Sequence, residues 1–202
     1  MISTLLRWSA FSLMAAFGLL GSLFVAGEAL VDPGGWEAVA LVALWVVPMV
    51  FLCALAVRRA DTAHRVLVSA VTVLAALWVS FALAPGWWRS LMDERGPVLA
   101  IASLAVGVAV AFLGLQRPGT AGVLLVVTAT VPVVASAVAA AVLDADRTGP
   151  AGVLGGSSTA AAIPTLVVGV LFLLSYAVER GQTRSDGHRS EVSDPGPART
   201  GT

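Results

Sequence analysis

The chain of 202 residues contains no lysine and no asparagine, one cysteine and two histidines, and charged residues make up only 12% of it. A single cysteine, Cys53, excludes an intrachain disulfide. The absence of lysine excludes Walker-type phosphate binding and Ser/Lys dyads. His64 and His188 are too few for a three-histidine zinc site or an H-E-x-x-H motif. We therefore predict no catalytic residue, no metal and no cofactor.

The formal net charge is zero, so no overall positive field would attract phosphate. We predict no nucleic-acid partner. The lack of lysine and asparagine, together with abundant alanine, valine, glycine and arginine, is typical of a GC-rich bacterial genome. This codon bias points to a bacterial source and carries no information about mechanism.

What the chain does contain is apolar sequence: 58% of its residues are hydrophobic and the mean hydropathy is +0.91. A hydrocarbon core of about 30 Å requires roughly 20 residues of helix. Lipid offers no partner to backbone N–H and C=O groups, so each apolar run must be helical. We predict an all-α integral membrane bundle of six transmembrane helices, with spans of about 8–30, 36–57, 66–84, 97–115, 120–143 and 159–178.

The first window has a second interpretation, a cleaved signal peptide with Arg7 as its charged start and Ala26 and Gly27 near the cleavage point. Its uncharged stretch runs from Trp8 to Gly27, which is longer than a typical signal-peptide core. We therefore predict a retained span.

Arginine placement predicts the orientation, because cytoplasmic flanks keep positive charge during insertion. With the N-terminus inside, only Arg89, Arg95 and Arg147 would lie outside. We expect a bacterial plasma (inner) membrane protein with both termini cytoplasmic. Residues 179–202 are rich in Gly, Ser, Thr, Pro and charge, which predicts a disordered cytoplasmic tail.

The second, fourth and sixth spans end alike, with Arg59, Arg117 and Arg180 each followed by threonine three residues later. This pattern suggests three tandem helical hairpins related by an axis along the membrane normal. Chance is the alternative, because arginine and threonine are common enough for such pairs to arise at random.

Part of the first two spans also follows a wider pattern. Arg7 precedes the first span, Gly27-Glu28 lies near its outer end, Pro48 lies within the second span and Arg58-Arg59 follows it. In these features the stretch 6–67 resembles a group of small uncharacterised bacterial multi-pass membrane proteins. That group has no assigned activity, so the resemblance implies a membrane location and no reaction.

Three carboxylates near the outer end of the first hairpin are candidate functional residues: Glu28, Asp32 and Glu37. Together they would form an acidic cluster able to attract cations. The alternative is that they are solvated charges, since twenty residues from Trp8 already cross the core and place Glu28 at the interface.

Pro48 and Pro132 lie in the middle of spans, where proline removes a backbone donor and bends a helix. Such kinks could line a cavity, although many membrane helices tolerate proline without any functional role.

These features support three hypotheses. The leading one is a non-enzymatic structural or accessory subunit in the lipid bilayer, with a possible unknown membrane protein partner. The alternative is a small permease or ion-conducting component that uses the outer acidic cluster and the two kinked helices. The third is a lipid-modifying enzyme, which is disfavoured because no histidine or lysine accompanies the carboxylates.

Replacing Glu28 by Gln tests whether this carboxylate is a solvated charge. We expect unchanged membrane insertion and abundance, because an interfacial glutamine and glutamate are both hydrated. Immunoblotting of membrane fractions measures both quantities, with Glu37→Gln as the matched control. A collapse of either quantity in Glu28→Gln would contradict the solvated assignment.

Overall fold

A computed structural model of the chain describes residues 2–31, 35–88, 98–143 and 157–192. These residues are helical almost throughout and include no strand, which confirms the all-α prediction. The six long helices are α1 (Ile2–Val31), α2 (Gly35–Arg58), α3 (Ala60–Leu83), α4 (Val98–Gly114), α5 (Pro118–Leu143) and α6 (Ser157–Val192).

Five of these helices are long and apolar enough to cross a bilayer, namely α1, α2, α3, α5 and α6. Their outward faces carry large apolar side chains, such as Leu44, which is 74% exposed, and Phe24, which is 68% exposed. Water would penalise so much exposed apolar surface, whereas hydrocarbon does not. The structure therefore supports a helical membrane protein. Helix α4, with 17 residues, is shorter than the other five.

Helix α4 lies at the centre of the bundle and packs against each of the other five helices. Around it, neighbouring helices contact one another in the order α1, α2, α3, α5 and α6, and α6 closes the ring on α1. Most side chains of α4 are buried, whereas α2 buries only Ala56 among its described side chains. The core of the protein therefore forms where the other helices pack against α4.

Small residues allow this central position. Ser103, Gly107 and Ala111, which recur every four residues, are all buried, as expected for a face that another helix approaches closely. A Cβ atom at Gly107 would lie 2.7 Å from Cε of Met14 in α1 and within 4 Å of Leu125 in α5. Thr165 of α6 is also within 4 Å of this position, so four helices meet at the level of one glycine.

The most extensive helix contact joins α5 and α6. Gly122 and Gly169 lie at this crossing, and a Cβ atom at Gly122 would be 3.0 Å from the carbonyl oxygen of Gly169. Two glycines therefore let the backbones approach directly, which increases dispersion contact along the whole pair.

The predicted hairpins are only partly reflected in this packing. The pairs α1 with α2, α3 with α4 and α5 with α6 do make contact. A common axis would place α2, α4 and α6 in equivalent positions, yet α4 packs against five helices whereas α2 and α6 each pack against three. The three pairs therefore occupy different environments.

Two helices, α1 and α6, extend beyond the predicted spans, and charged residues in these extensions make side-chain contacts. Helix α1 starts at Ile2 and α6 continues to Val192, beyond the predicted limits at 8 and 178. Within these extensions Arg7 pairs with Glu179, and the guanidinium of Arg180 lies 4.8 Å from the ring centre of Tyr176. The predicted disordered tail thus begins as helix, and residues 193–202 lie outside the described ranges.

Gly114→Ala tests the close packing of α4. The new Cβ would lie 2.5 to 2.9 Å from ring atoms of Phe172, which is fully buried, so we expect a loss of about 1–3 kcal/mol of stability from overpacking. Thermal unfolding in detergent measures the change. Gly27→Ala is the control, because nothing lies within 4 Å of its Cβ position. Equal unfolding midpoints for the two variants would contradict this packing.

Candidate functional site

The structure separates the residues that the sequence analysis selected. Glu37 is exposed in the first turn of α2, and Pro48 is exposed further along the same helix. Glu28 belongs to α1, but its side chain, like the whole of Asp32, lies outside the described residues. The outer acidic cluster therefore stays a prediction. Pro132 differs from the others, because it is buried in α5 and lines a cavity.

We call this space the hydroxyl cavity. It is about 10 Å³ in volume, roughly the room that one water molecule needs. Ser103, Thr128 and Thr165, which carry its hydroxyl groups, are each no more than 7% exposed. Its walls come from α3, α4, α5 and α6, and are formed by Trp78, Ala100, Ser103, Leu104, Thr128, Pro132, Ala162 and Thr165.

A short hydrogen-bonded chain crosses one wall of the hydroxyl cavity. Trp78 Nε1 donates to Ser103 Oγ at 3.1 Å, and Ser103 Oγ donates to the Leu99 carbonyl at 2.8 Å. Trp78 is 3% exposed, so its indole N–H would cost free energy without this acceptor. The chain thereby links α3 to α4.

A second crevice lies beside the hydroxyl cavity and shares Trp78, Thr128 and Pro132 with it. Its other lining residues, from α3 and α5, are aliphatic: Val71, Leu74, Ala75, Val127 and Val131. It has no room for a water-sized sphere. Trp78, Thr128 and Pro132 therefore line both spaces, of which only the hydroxyl cavity has room for a water molecule.

The other polar assembly ties the helix ends together at the arginine-rich end of the bundle, and we call it the polar clasp. It consists of Arg7, Asp61, Gln116, Arg117 and Glu179. Arg7 of α1 pairs with Glu179 of α6 and also donates through Nη1 to the carbonyl of Leu115 at 3.2 Å. The last turn of α4 is thus held to α1 and α6.

Gln116 and Arg117 extend the polar clasp to the two remaining helices. Gln116 Nε2 donates to the carbonyls of Ala56 at 3.2 Å and Val57 at 3.0 Å, two groups at the end of α2 that lack helical donors. Arg117 pairs with Asp61 in the first turn of α3. The turn between α4 and α5 therefore connects four other helices.

Two of these residues are singled out in the sequence analysis, Arg7 as the charged residue before the first span and Arg117 as part of a repeated ending, with a partner predicted for neither. The useful signal was Gln116, a long amide side chain at the end of a span, where helix carbonyls need donors. Its partners are more than fifty residues away in the chain, so spacing alone could not identify them.

In chemical terms, the polar clasp is a set of charge pairs and helix caps, and the hydroxyl cavity offers neutral hydrogen-bonding groups. Within the described ranges, no three His, Cys, Asp or Glu side chains are grouped so that they could hold a metal ion. Comparisons with protein-family models, curated proteins and solved structures give no match. The fold and these two assemblies are therefore the basis of any functional argument.

A double-mutant cycle on Arg7→Gln and Glu179→Gln tests the polar clasp. We expect a coupling of about 0.5–1.5 kcal/mol, because these side chains are partly buried, with exposed fractions of 22% and 38%. The same cycle on Arg117 and Asp61, exposed by 42% and 81%, should give only about 0–0.5 kcal/mol. Unfolding in detergent measures both couplings. An equal or larger coupling in the exposed pair would contradict the assignment.

Proposed function

We propose that this chain is a six-span protein of the bacterial inner membrane with both termini in the cytoplasm, and that it acts as a non-enzymatic structural or accessory subunit. The observation that carries the proposal is the packing of five helices around α4. The hydroxyl cavity, which lies between four of these helices, has room for only about one water molecule, and most side chains of α4 are buried.

The position of α4 supports its role as a sixth span. Its 17 residues extend about 25 Å, which is less than the hydrocarbon thickness of about 30 Å. A lipid-facing helix of that length would thin the bilayer. Because other helices surround α4, its length need not match the lipid.

The polar clasp supports the proposed orientation. Arg7 and Glu179 pair, so the first part of α1 and the later part of α6 lie at the same end of the bundle. Arg58, Arg59 and Arg65 are exposed at the junction of α2 and α3, which Arg117 and Asp61 join to that end. Positive charge of this kind is retained on the cytoplasmic side.

A subunit needs a lateral surface, and α2 offers one. Leu44, Val47 and Phe51 share one face of this helix and are 74%, 64% and 65% exposed. Because α2 packs against only α1, α3 and α4, this face is open to lipid or to another membrane protein. We propose it as the contact surface of the subunit.

Site-specific photocrosslinking in native membranes tests the subunit proposal. A photoreactive residue at Leu44 or Phe51 should give a discrete protein adduct, identified by mass spectrometry. The control position is Val134, 61% exposed on α5, where we expect lipid adducts. Lipid adducts alone at all three positions would contradict the proposal.

A small permease is the second candidate, because Pro132 lines a polar cavity between four helices. A path would require that cavity to open toward both faces. Flux of cations or small polar solutes into sealed proteoliposomes distinguishes the candidates. We expect none above protein-free vesicles, and flux that Pro132→Ala reduces would favour the permease.

A further inference from the structure

Two of the three hydroxyl groups that line the hydroxyl cavity, those of Ser103 and Thr128, have already used their protons. Thr128 Oγ1 donates to the Leu124 carbonyl and Ser103 Oγ donates to the Leu99 carbonyl, both at 2.8 Å. The indole N–H of Trp78 is used as well, since it donates to Ser103. These three lining groups therefore have no proton left to offer a ligand.

What these residues still offer is acceptor capacity. A hydroxyl oxygen has two lone pairs, so Ser103 retains one after accepting from Trp78. In the described part of the chain no donor contacts Thr128 Oγ1, which leaves two. The carbonyl of Thr128 also lacks its usual helical donor, because Pro132 has no N–H. A ligand that binds Ser103 and Thr128 must therefore donate hydrogen bonds or carry positive charge.

Size and charge decide between these ligands. No carboxylate lines the cavity, and an uncompensated cation inside a helical bundle is costly. A volume of about 10 Å³ suits a single water molecule that finds two or more polar partners. Proline in membrane helices is commonly accommodated by such ordered water.

We propose that the hydroxyl cavity binds one water molecule, which donates hydrogen bonds to Thr128 of α5 and Ser103 of α4. This water bridges two helices beside Pro132 and satisfies acceptors that α5 leaves open at this proline. The neighbouring crevice, whose walls also include Trp78 and Thr128, has no space for a water-sized sphere. We therefore expect the water in the hydroxyl cavity and not in the crevice.

Radiolytic hydroxyl labelling of the purified protein in detergent, carried out in ¹⁸O-water, tests the proposal. Ionisation of a bound water produces radicals in place, so buried side chains next to it become oxidised. Trp78, although 3% exposed, should be labelled, whereas Phe172, which is fully buried and does not line the cavity, should stay unlabelled. Trp78 labelled no faster than Phe172 would overturn the proposal.

Two matched variants identify the acceptor. Thr128→Val keeps the shape but removes the hydroxyl oxygen, so labelling of Trp78 should fall to the level of Phe172. Thr128→Ser keeps the oxygen and should retain labelling. Undiminished labelling in a monodisperse Thr128→Val protein would contradict the site. If this variant does not fold, Ser103→Ala, which removes the other acceptor, replaces it under the same criterion.

A cation in place of water is distinguished by exchanging the salt. We expect Trp78 labelling and the unfolding midpoint to be the same in sodium, potassium and choline chloride. A midpoint that rises with sodium or potassium but not with choline would show a monovalent-cation site and overturn the assignment to water.

Discussion

The arrangement depends on how closely neighbouring helices can approach the backbone of α4. Between membrane helices no hydrophobic force favours association, because lipid is as apolar as the side chains it would replace. Close dispersion contact must therefore provide much of the stabilisation. Small residues such as Gly107 and Gly114 permit it, since the space beside them is filled by Met14 and Phe172 from other helices. With larger residues there, α4 could not have five neighbours.

Polar side chains bond to backbone carbonyls both inside the bundle and at its arginine-rich end. Inside the bundle, hydroxyls such as those of Ser103 and Thr128 bond to carbonyls of their own helix, which makes them tolerable in an apolar environment. At the arginine-rich end, Gln116 and Arg7 reach carbonyls at the ends of α2 and α4. The polar clasp thus completes helix ends, while packing around α4 fixes the positions of the helices.

Much of the fold could be predicted from the sequence, because the thickness of the bilayer sets the length of the apolar run that each spanning helix needs. Each apolar window overlaps a helix of the structure. The centrality of α4 could not be predicted in this way. Its neighbours are distant in the chain, and its composition differs from that of the other spans only by degree.

The candidate site residues could likewise be predicted where a local sequence signal marks them, and not where their role depends on tertiary packing. Pro132 could be singled out from the sequence, because a proline in mid-span is a local signal, and the structure places it in the wall of the hydroxyl cavity. Its counterpart Pro48 has the same signal but lies on an exposed surface, since only tertiary packing decides which way a kink faces. Trp78, whose bond to Ser103 spans two helices, could be predicted as packed but not as part of a polar site.

The central position of α4 is the claim on which the fold and the proposals rest. Labelling by a photoactivated reagent dissolved in the lipid of reconstituted vesicles tests it most directly. The account predicts that modification is found on α2, at residues such as Leu44 and Phe51, and that the buried face of α4 around Val110 stays unmodified. Modification of α4 to the same extent as α2 would contradict it.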